Sequence, residues 1–166
     1  MIYIQPEKLL ATGQLEIVLS DANGCVKDHR NVKNTVTISG KNYIANRMKS
    51  TLGGHTIAGE MSHMAIGTGT SGSNDNIQTE STAAGHRIAL ATAGGTVSGN
   101  AVTYSATFPG NVIATNVAVT EAGIFNYGTY AASPSALQFM LCRTTFLVVN
   151  KLIADTLTIN WTVTIN

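Results

Sequence analysis

Thr156-Leu-Thr-Ile-Asn-Trp-Thr-Val-Thr-Ile165 is the stretch that decides the fold. Polar and apolar residues alternate strictly along it, which is the period of a β-strand that has one face in the core. The alternation predicts that the apolar side chains, Trp161 among them, point inward and that the Thr and Asn side chains point outward. The final segment is therefore expected to be a long strand over a hydrophobic core.

The same alternation recurs upstream in short pieces that are separated by turn residues. Gln14–Ser20 places Leu15, Ile17 and Leu19 on one face, and Asn23-Gly24 after it is a strong hairpin signal because both residues tolerate positive φ. The other predicted strands are Cys25–Arg30, Asn34–Ile38, Ser62–Ile66, His86–Thr92, the Thr96-Val97 segment, Ala101–Phe108, Asn116–Thr120, Ala122–Phe125, Leu137–Val148 and Asp155–Ile165. Many short strands at about ten-residue spacing predict an all-β fold, an antiparallel β-sandwich or barrel.

One segment has the spacing of an α-helix. Ser39 is predicted to cap a short helix that runs through Gly40–Lys49, and Gly53-Gly54 to end it. Residues 1–12 show no clear periodicity and contain Pro6, so they are predicted to form an N-terminal arm. Residues 13–166 are predicted to form a single β-sandwich domain.

The composition is unusual in its low charge. Ten Lys and Arg and nine Asp and Glu make up 11% of the chain, against about 25% in typical soluble domains. Thr, Asn and Ser (22, 14 and 11 residues) stand in their place. The net charge of +1 and the absence of a basic cluster argue against nucleic-acid binding. No apolar run is long enough to predict a membrane span, and the first residues do not resemble a signal peptide.

The residues that bind metals or act as nucleophiles are scattered. Cys25 and Cys142 match no metal spacing and are expected to be two buried thiols in a reducing compartment. The four histidines have neither helical pairing nor acidic neighbours at metal spacing, so structural roles are expected for all of them: His29, His55, His63 and His86. We therefore expect no metal and no cofactor.

Gly67-Thr-Gly-Thr-Ser-Gly72 has the spacing of a dinucleotide-binding loop. Such a loop must open a helix whose N-terminus holds the pyrophosphate, but the residues that follow are Ser-Asn-Asp-Asn. The sequence therefore favours a flexible surface loop over a cofactor site.

Glu121 is the most interesting of the few carboxylates, because it interrupts an apolar stretch. A glycosidase needs two carboxylates at a defined separation. The structural alternative, which we favour, is that Glu121 pairs with Arg87 or Arg143 at a strand end. The other acidic residues beyond Asp28 are Glu60, Asp75, Glu80 and Asp155. We predict no catalytic residues.

Several strings, taken in order, resemble small structural proteins of tailed bacteriophages. The strings are Met64-Ala-Ile-Gly-Thr-Gly69, Thr79-Glu-Ser-Thr82, His86-Arg-Ile-Ala-Leu90, Ser98–Gly110, Thr120-Glu-Ala-Gly-Ile-Phe-Asn126, Met140-Leu-Cys-Arg-Thr-Thr-Phe146 and Asp155–Ile165. Together with the upstream part from Gly13 to Met48, the resemblance covers roughly residues 13–166. The first and fifth strings are similar to the attachment domain of phage tail-collar fibres.

The resemblance implies assembly in a virion and no catalysis. It implies a non-enzymatic protein that forms an oligomer, a trimer, on the tail, neck or baseplate as a fibre or adaptor. One alternative is a capsid decoration or cement protein that clamps the major capsid protein. The absence of a long receptor-binding extension beyond Asn166 argues against a full-length fibre and favours an adaptor, a short appendage or a capsid cement protein. A further alternative is a host-surface carbohydrate-binding module. The arm and the uncharged final strand are candidates for pairing between subunits, although the final strand fits a central position in its own sheet equally well.

Overall fold

The structure is a computed structural model that describes residues 10–49, 56–70, 86–129 and 135–166. The described residues form nine β-strands and one α-helix, which account for most of the predicted segments. The elements are β1 (Ala11–Ser20), β2 (Val26–Val36), α1 (Ile38–Met48), β3 (His63–Gly67), β4 (Arg87–Ala89), β5 (Thr96–Ser98), β6 (Ala101–Phe108), β7 (Val117–Phe125), β8 (Met140–Lys151) and β9 (Thr156–Ile165).

The strands form two antiparallel sheets that share β2. The first sheet has the order β2-β1-β9-β6-β5, and the second has the order β4-β3-β7-β8-β2. β2 pairs with β1 from Val26 to Asn34 and then passes to β8 at Thr35 and Val36. This crossing makes one continuous strand of two segments that were predicted separately. The predicted all-β antiparallel sandwich with one short helix is confirmed.

β9 is a central strand of the first sheet. It pairs with β1 along its whole length, from Thr156 to Ile165, and with β6 on its other side. Since both edges are occupied, the final strand is not an edge that pairs with another subunit. Its lack of charge is explained by this central position.

The core lies between the sheets, and the predicted inward faces line it. Leu15, Ile17 and Leu19 of β1 are buried, and Trp161 of β9 is fully buried beside them in the core cluster. Burying a Leu or Ile side chain contributes about 1.5–3 kcal/mol to the stability of the fold. The alternation in the sequence therefore identified the faces of both strands correctly.

The hairpin between β1 and β2 forms where Asn23-Gly24 predicted it. Gly24 has φ +83°, and its N–H donates to the Asp21 carbonyl at 3.0 Å. Asp21 Oδ1 accepts from the N–H groups of Asn23 and Cys25 at 2.8 and 2.9 Å. The positive φ requires glycine here, because a Cβ strains that conformation.

The helix begins two residues earlier than predicted, and its cap is Thr37 rather than Ser39. Thr37 Oγ1 accepts from the Gly40 N–H at 2.8 Å and donates to the Met140 carbonyl at 2.5 Å. The Ser39 hydroxyl instead accepts from the Met140 N–H at 3.2 Å. The long-range contact with β8 thus selects the cap, and Ile38 lies exposed in the first turn rather than inside a strand. Gly53-Gly54 lies outside the described residues.

β1 begins at Ala11, within the segment that was predicted to be the arm. Leu10 continues the pairing, because its N–H donates to the Asn166 carbonyl and its carbonyl accepts from the Asn166 N–H. Residues 1–9 lie outside the described residues, so the arm and the single domain stay predictions. No helix among the residues that the structure describes is long and apolar enough to cross a membrane.

Candidate functional site

Glu121 and Arg143 form a buried ion pair in the second sheet. Arg143 donates from Nε and Nη2 to Glu121 Oε2 at 3.0 and 2.7 Å, and Glu121 is fully buried. The structure therefore selects Arg143 from the two predicted partners. Glu121 lies inside β7, at an irregularity in the β7–β8 register, and not at a strand end as predicted. Such irregularities change the direction of nearby side chains, and this one lies directly beside Glu121.

The second oxygen of Glu121 holds the glycine-rich loop. Glu121 Oε1 accepts from the Gly69 N–H at 2.9 Å, and Thr120 Oγ1 donates to the Gly69 carbonyl at 2.8 Å. A Cβ atom on Gly69 would overlap the Glu121 carboxylate. Because Gly69 has no side chain, the Glu121 carboxylate can reach its backbone N–H. The carboxylate thus occupies the position that a bound phosphate has in a nucleotide-binding loop. Residues 71–85, Gly72 among them, lie outside the described residues.

Arg87, the other predicted partner, makes a different set of contacts. Its guanidinium lies over the Phe125 ring at 3.7 Å and over the Tyr127 ring at 4.7 Å. It also donates to the Tyr127 carbonyl at 3.0 Å. Arg87 therefore fixes the end of β7 by cation–π and hydrogen-bond contacts.

The described histidines are apart from one another. His29 is exposed and pairs with Glu16 at 3.0 Å, and His63 Nδ1 lies 2.8 Å from the Ser62 hydroxyl. His86 is buried, and neither of its ring nitrogens has a hydrogen-bond partner among the residues that the structure describes. No group of three potential metal ligands occurs among the residues that the structure describes. His55 lies outside them.

The carboxylate of Asp155 is also committed to a structural contact. Asp155 Oδ2 accepts from Lys27 Nζ at 2.6 Å and from the Leu152 N–H at 3.0 Å. Burial opposes ionisation, but these donors outweigh it and lower the pKa of Asp155. Lys151 Nζ donates to the Asp155 carbonyl at 2.6 Å, and burial lowers its pKa. This network fixes the turn between β8 and β9.

The two thiols differ in exposure, which corrects the prediction that both are buried. Cys142 is buried in the core, and burial raises the pKa of its thiol. Cys25 is exposed because it follows the Asp21–Gly24 turn, outside the sheet. An apolar residue type does not ensure burial in a tight turn. Asp75 and Glu80 lie outside the described residues.

The outer face of the first sheet is covered by polar side chains that bond to one another. Ser105 Oγ donates to Asn160 Oδ1 at 2.9 Å, Asn160 Nδ2 donates to Glu16 Oε2 at 3.0 Å, and Glu16 continues to His29. Thr103–Thr162 and Thr107–Thr158 hydroxyl pairs flank this row at 3.0 and 3.2 Å. We call the row and its flanking pairs the polar ladder. Its signal in the sequence was the outward Thr and Asn of each strand, but the partners depend on the strand order.

Apolar side chains are exposed at the end of the sandwich where the β1–β2 and β8–β9 turns lie. Val26 at the start of β2 is exposed there, and so are Leu152 and Ile153 in the β8–β9 turn. The Lys27–Asp155 ion pair joins the two turns. Leu147, which is 84% exposed, lies farther along β8, where Arg30 donates to the carbonyls of Leu147 and Val148 at 2.5 and 3.0 Å and is held by Asp28. We call Val26, Leu152 and Ile153 the turn-end patch.

No family model matches the chain, and no curated protein or solved structure matches it significantly.

Proposed function

We propose that the protein is a non-enzymatic structural component of a tailed-phage particle. In this proposal it assembles as an oligomer, a trimer, on the tail, neck or baseplate, where it serves as a fibre or an adaptor. Its partners are copies of itself and other virion proteins.

The observation that carries the proposal is that three of the strings of the phage resemblance meet at one structural contact. Met64–Gly69 supplies β3 and the Gly69 N–H, Thr120–Asn126 supplies Glu121, and Met140–Phe146 supplies Arg143. Ala65 of the Met64–Gly69 string also lies opposite Gly123 of the Thr120–Asn126 string in the sheet register. Residues that resemble those of a structural family therefore build a buried structural centre.

The surface supports a role in assembly. The turn-end patch exposes three apolar side chains, and exposed apolar groups that lie together are typical of protein contact sites. Interfaces are depleted in Lys, Glu and Asp, and this chain is low in all charged residues. The polar ladder presents hydroxyl and amide groups already ordered by mutual hydrogen bonds. Such groups need little further ordering when a partner binds.

The copy number in purified particles tests the proposal. Quantitative mass spectrometry against labelled peptides of the chain would count the copies per particle, and cryo-electron microscopy would locate them. A few to a few dozen copies at the tail, neck or baseplate is the expected result. Hundreds of copies on the shell would overturn the tail assignment in favour of capsid decoration. Absence from particles would overturn the virion assignment altogether.

A further inference from the structure

A cavity of about 600 Å³ opens at the end of the sandwich opposite the turn-end patch. It lies between α1 on one side and the start of β1, the end of β2 and the end of β9 on the other. Its lining residues are Leu10, Ala11, Thr12, Gly13, Lys33, Asn34, Val36, Lys41, Ile44, Ala45, Met48 and Ile165. We call this cavity the terminal groove.

The terminal groove has apolar walls that are open to water. Met48 is 79% exposed and Leu10 is 57% exposed, and Ile44 is only partly buried. Water contact with these side chains costs free energy that an apolar occupant would recover. The charged residues in the lining are Lys33 and Lys41, and both are exposed. The groove therefore suits an apolar segment rather than a charged one.

The chain carries such a segment immediately before the groove. Residues 1–9 join the domain at Leu10, which is itself part of the lining. Their first four residues are Met1-Ile-Tyr-Ile4, which form an apolar run. The sequence of this run matches the chemistry of the groove walls.

The connection favours a neighbouring copy over the same chain. Leu10 and Asn166 exchange backbone hydrogen bonds at 2.9 and 2.7 Å, so β1 keeps its direction up to the domain edge. To enter its own groove, which is lined by residues 10–13, the chain would have to reverse at once. Glu7-Lys8-Leu9-Leu10 contains none of the residues that favour a tight reversal, and a turn at Pro6 would leave only Met1–Gln5 to run back to the groove. In contrast, the five residues Gln5–Leu9 span up to about 17 Å when extended, so Met1–Ile4 can lie that far from the edge of its own domain.

We propose that the terminal groove binds Met1–Ile4 of a second copy of this chain. The inference rests on the proposed assembly as an oligomer and names the contact that forms it. Because the donated segment and the groove are different surfaces, the contact is heterologous, and three such contacts can close a ring.

Two full-length variants test the two sides of this contact. Ile2→Asp/Ile4→Asp alters the segment and keeps the groove, whereas Ala45→Glu/Met48→Glu alters the groove and keeps the segment. Ala45 and Met48 are both exposed on α1, so the second variant is expected to fold. Asn42→Glu, on the same helix but outside the lining, is the matched control for the groove, and Ile2→Val/Ile4→Val is the control for the segment.

Sedimentation velocity over a range of concentrations would measure assembly. Each altered variant is expected to raise the apparent dissociation constant at least about tenfold, as the loss of buried apolar side chains predicts, and both controls are expected to assemble normally. A mixture of the two altered variants retains one intact groove and one intact segment. Native mass spectrometry should therefore detect a heterodimer at concentrations where each variant alone is monomeric.

The outcomes separate this contact from assembly in general. Normal oligomers from both altered variants would overturn the contact and leave the proposed assembly standing. A mixture without heterodimer, together with monomeric variants of lowered stability, would show that the segment binds its own groove and would overturn the contact between copies. A wild-type chain that is monomeric at all concentrations would overturn both the contact and self-assembly, while the copy number in particles would still test the virion role.

Discussion

Arg143 donates from two guanidinium nitrogens to one oxygen of Glu121, while the other oxygen of the same carboxylate accepts from the Gly69 N–H. Three strings that are far apart in the sequence are joined at this point, and no solvent reaches the carboxylate. Both oxygens are thus committed to internal donors, which gives Glu121 a structural role in this arrangement.

Arg143→Met is expected to lower the free energy of unfolding by about 3–5 kcal/mol, because it leaves a buried carboxylate without its cation. Urea unfolding followed by the emission of the buried Trp161 would measure the change. Lys49→Met, which removes an exposed cation, is the control and should stay within about 0.5 kcal/mol.

The double variant Glu121→Leu/Arg143→Met is expected to recover much of that loss, since buried ion pairs are often replaced by apolar pairs at little cost. A loss of less than about 1 kcal/mol in Arg143→Met would contradict the central role of the pair.

Gly69→Ala is expected to destabilise the protein by about 1–3 kcal/mol, because the new Cβ would overlap the Glu121 carboxylate. The comparison is Gly59→Ala, whose Cβ would meet nothing within 4 Å. In a Glu121→Ala background the cost of Gly69→Ala should nearly disappear. Equal costs in the two backgrounds, measured by the same urea experiment, would show that the overlap is not the cause.

The faces of the strands could be predicted from the sequence, because burial and local alternation have the same period. Leu15, Ile17 and Trp161 were assigned correctly for this reason. Contacts between distant segments could not be predicted in the same way, because they depend on strand order and register. The partner of Glu121 was narrowed to two arginines, and only the β7–β8 register distinguishes Arg143 from Arg87.

The errors also have a long-range cause. Ser39 is an acceptable cap by local rules, but Thr37 contacts the Met140 carbonyl and takes that role. β2 was divided into two predicted strands at residues 31–33, although these residues pair with β1 in the regular register and only Thr35 and Val36 pass to β8. The polar ladder and the Lys27–Asp155 ion pair were not predicted, since nothing in the local sequence links β1 to β9 or β2 to the β8–β9 turn.

The native protein is expected to show one reactive thiol. Cys25 is exposed, whereas Cys142 is buried and burial raises the pKa of its thiol, so that the reactive thiolate is disfavoured. A thiol reagent such as Ellman's reagent should therefore titrate one thiol in buffer and two in denaturant. Cys25→Ser should abolish the reaction in buffer, and fast labelling of that variant would contradict the burial of Cys142.

The stability of the protein is expected to fall as the pH drops below about 6.5, the ordinary pKa of histidine. Burial lowers the pKa of His86, and nearby Lys151 lowers it further, so the folded protein binds a proton at this ring less readily than the unfolded chain does. As the pH falls through 6.5, the unfolded chain therefore takes up more protons than the folded chain does. Each such histidine lowers the free energy of unfolding by at most about 1.4 kcal/mol per pH unit. The pKa of half-buried His63 is lowered too, by burial and by Arg87, and it acts in the same direction.

Urea unfolding at pH 7.5, 6.0 and 5.0 should therefore show a smaller decline for His86→Gln than for wild type, whereas His29→Gln, at an exposed site, should leave more of the decline in place. An equal decline in His86→Gln and wild type would show that the buried ring does not control stability in this range.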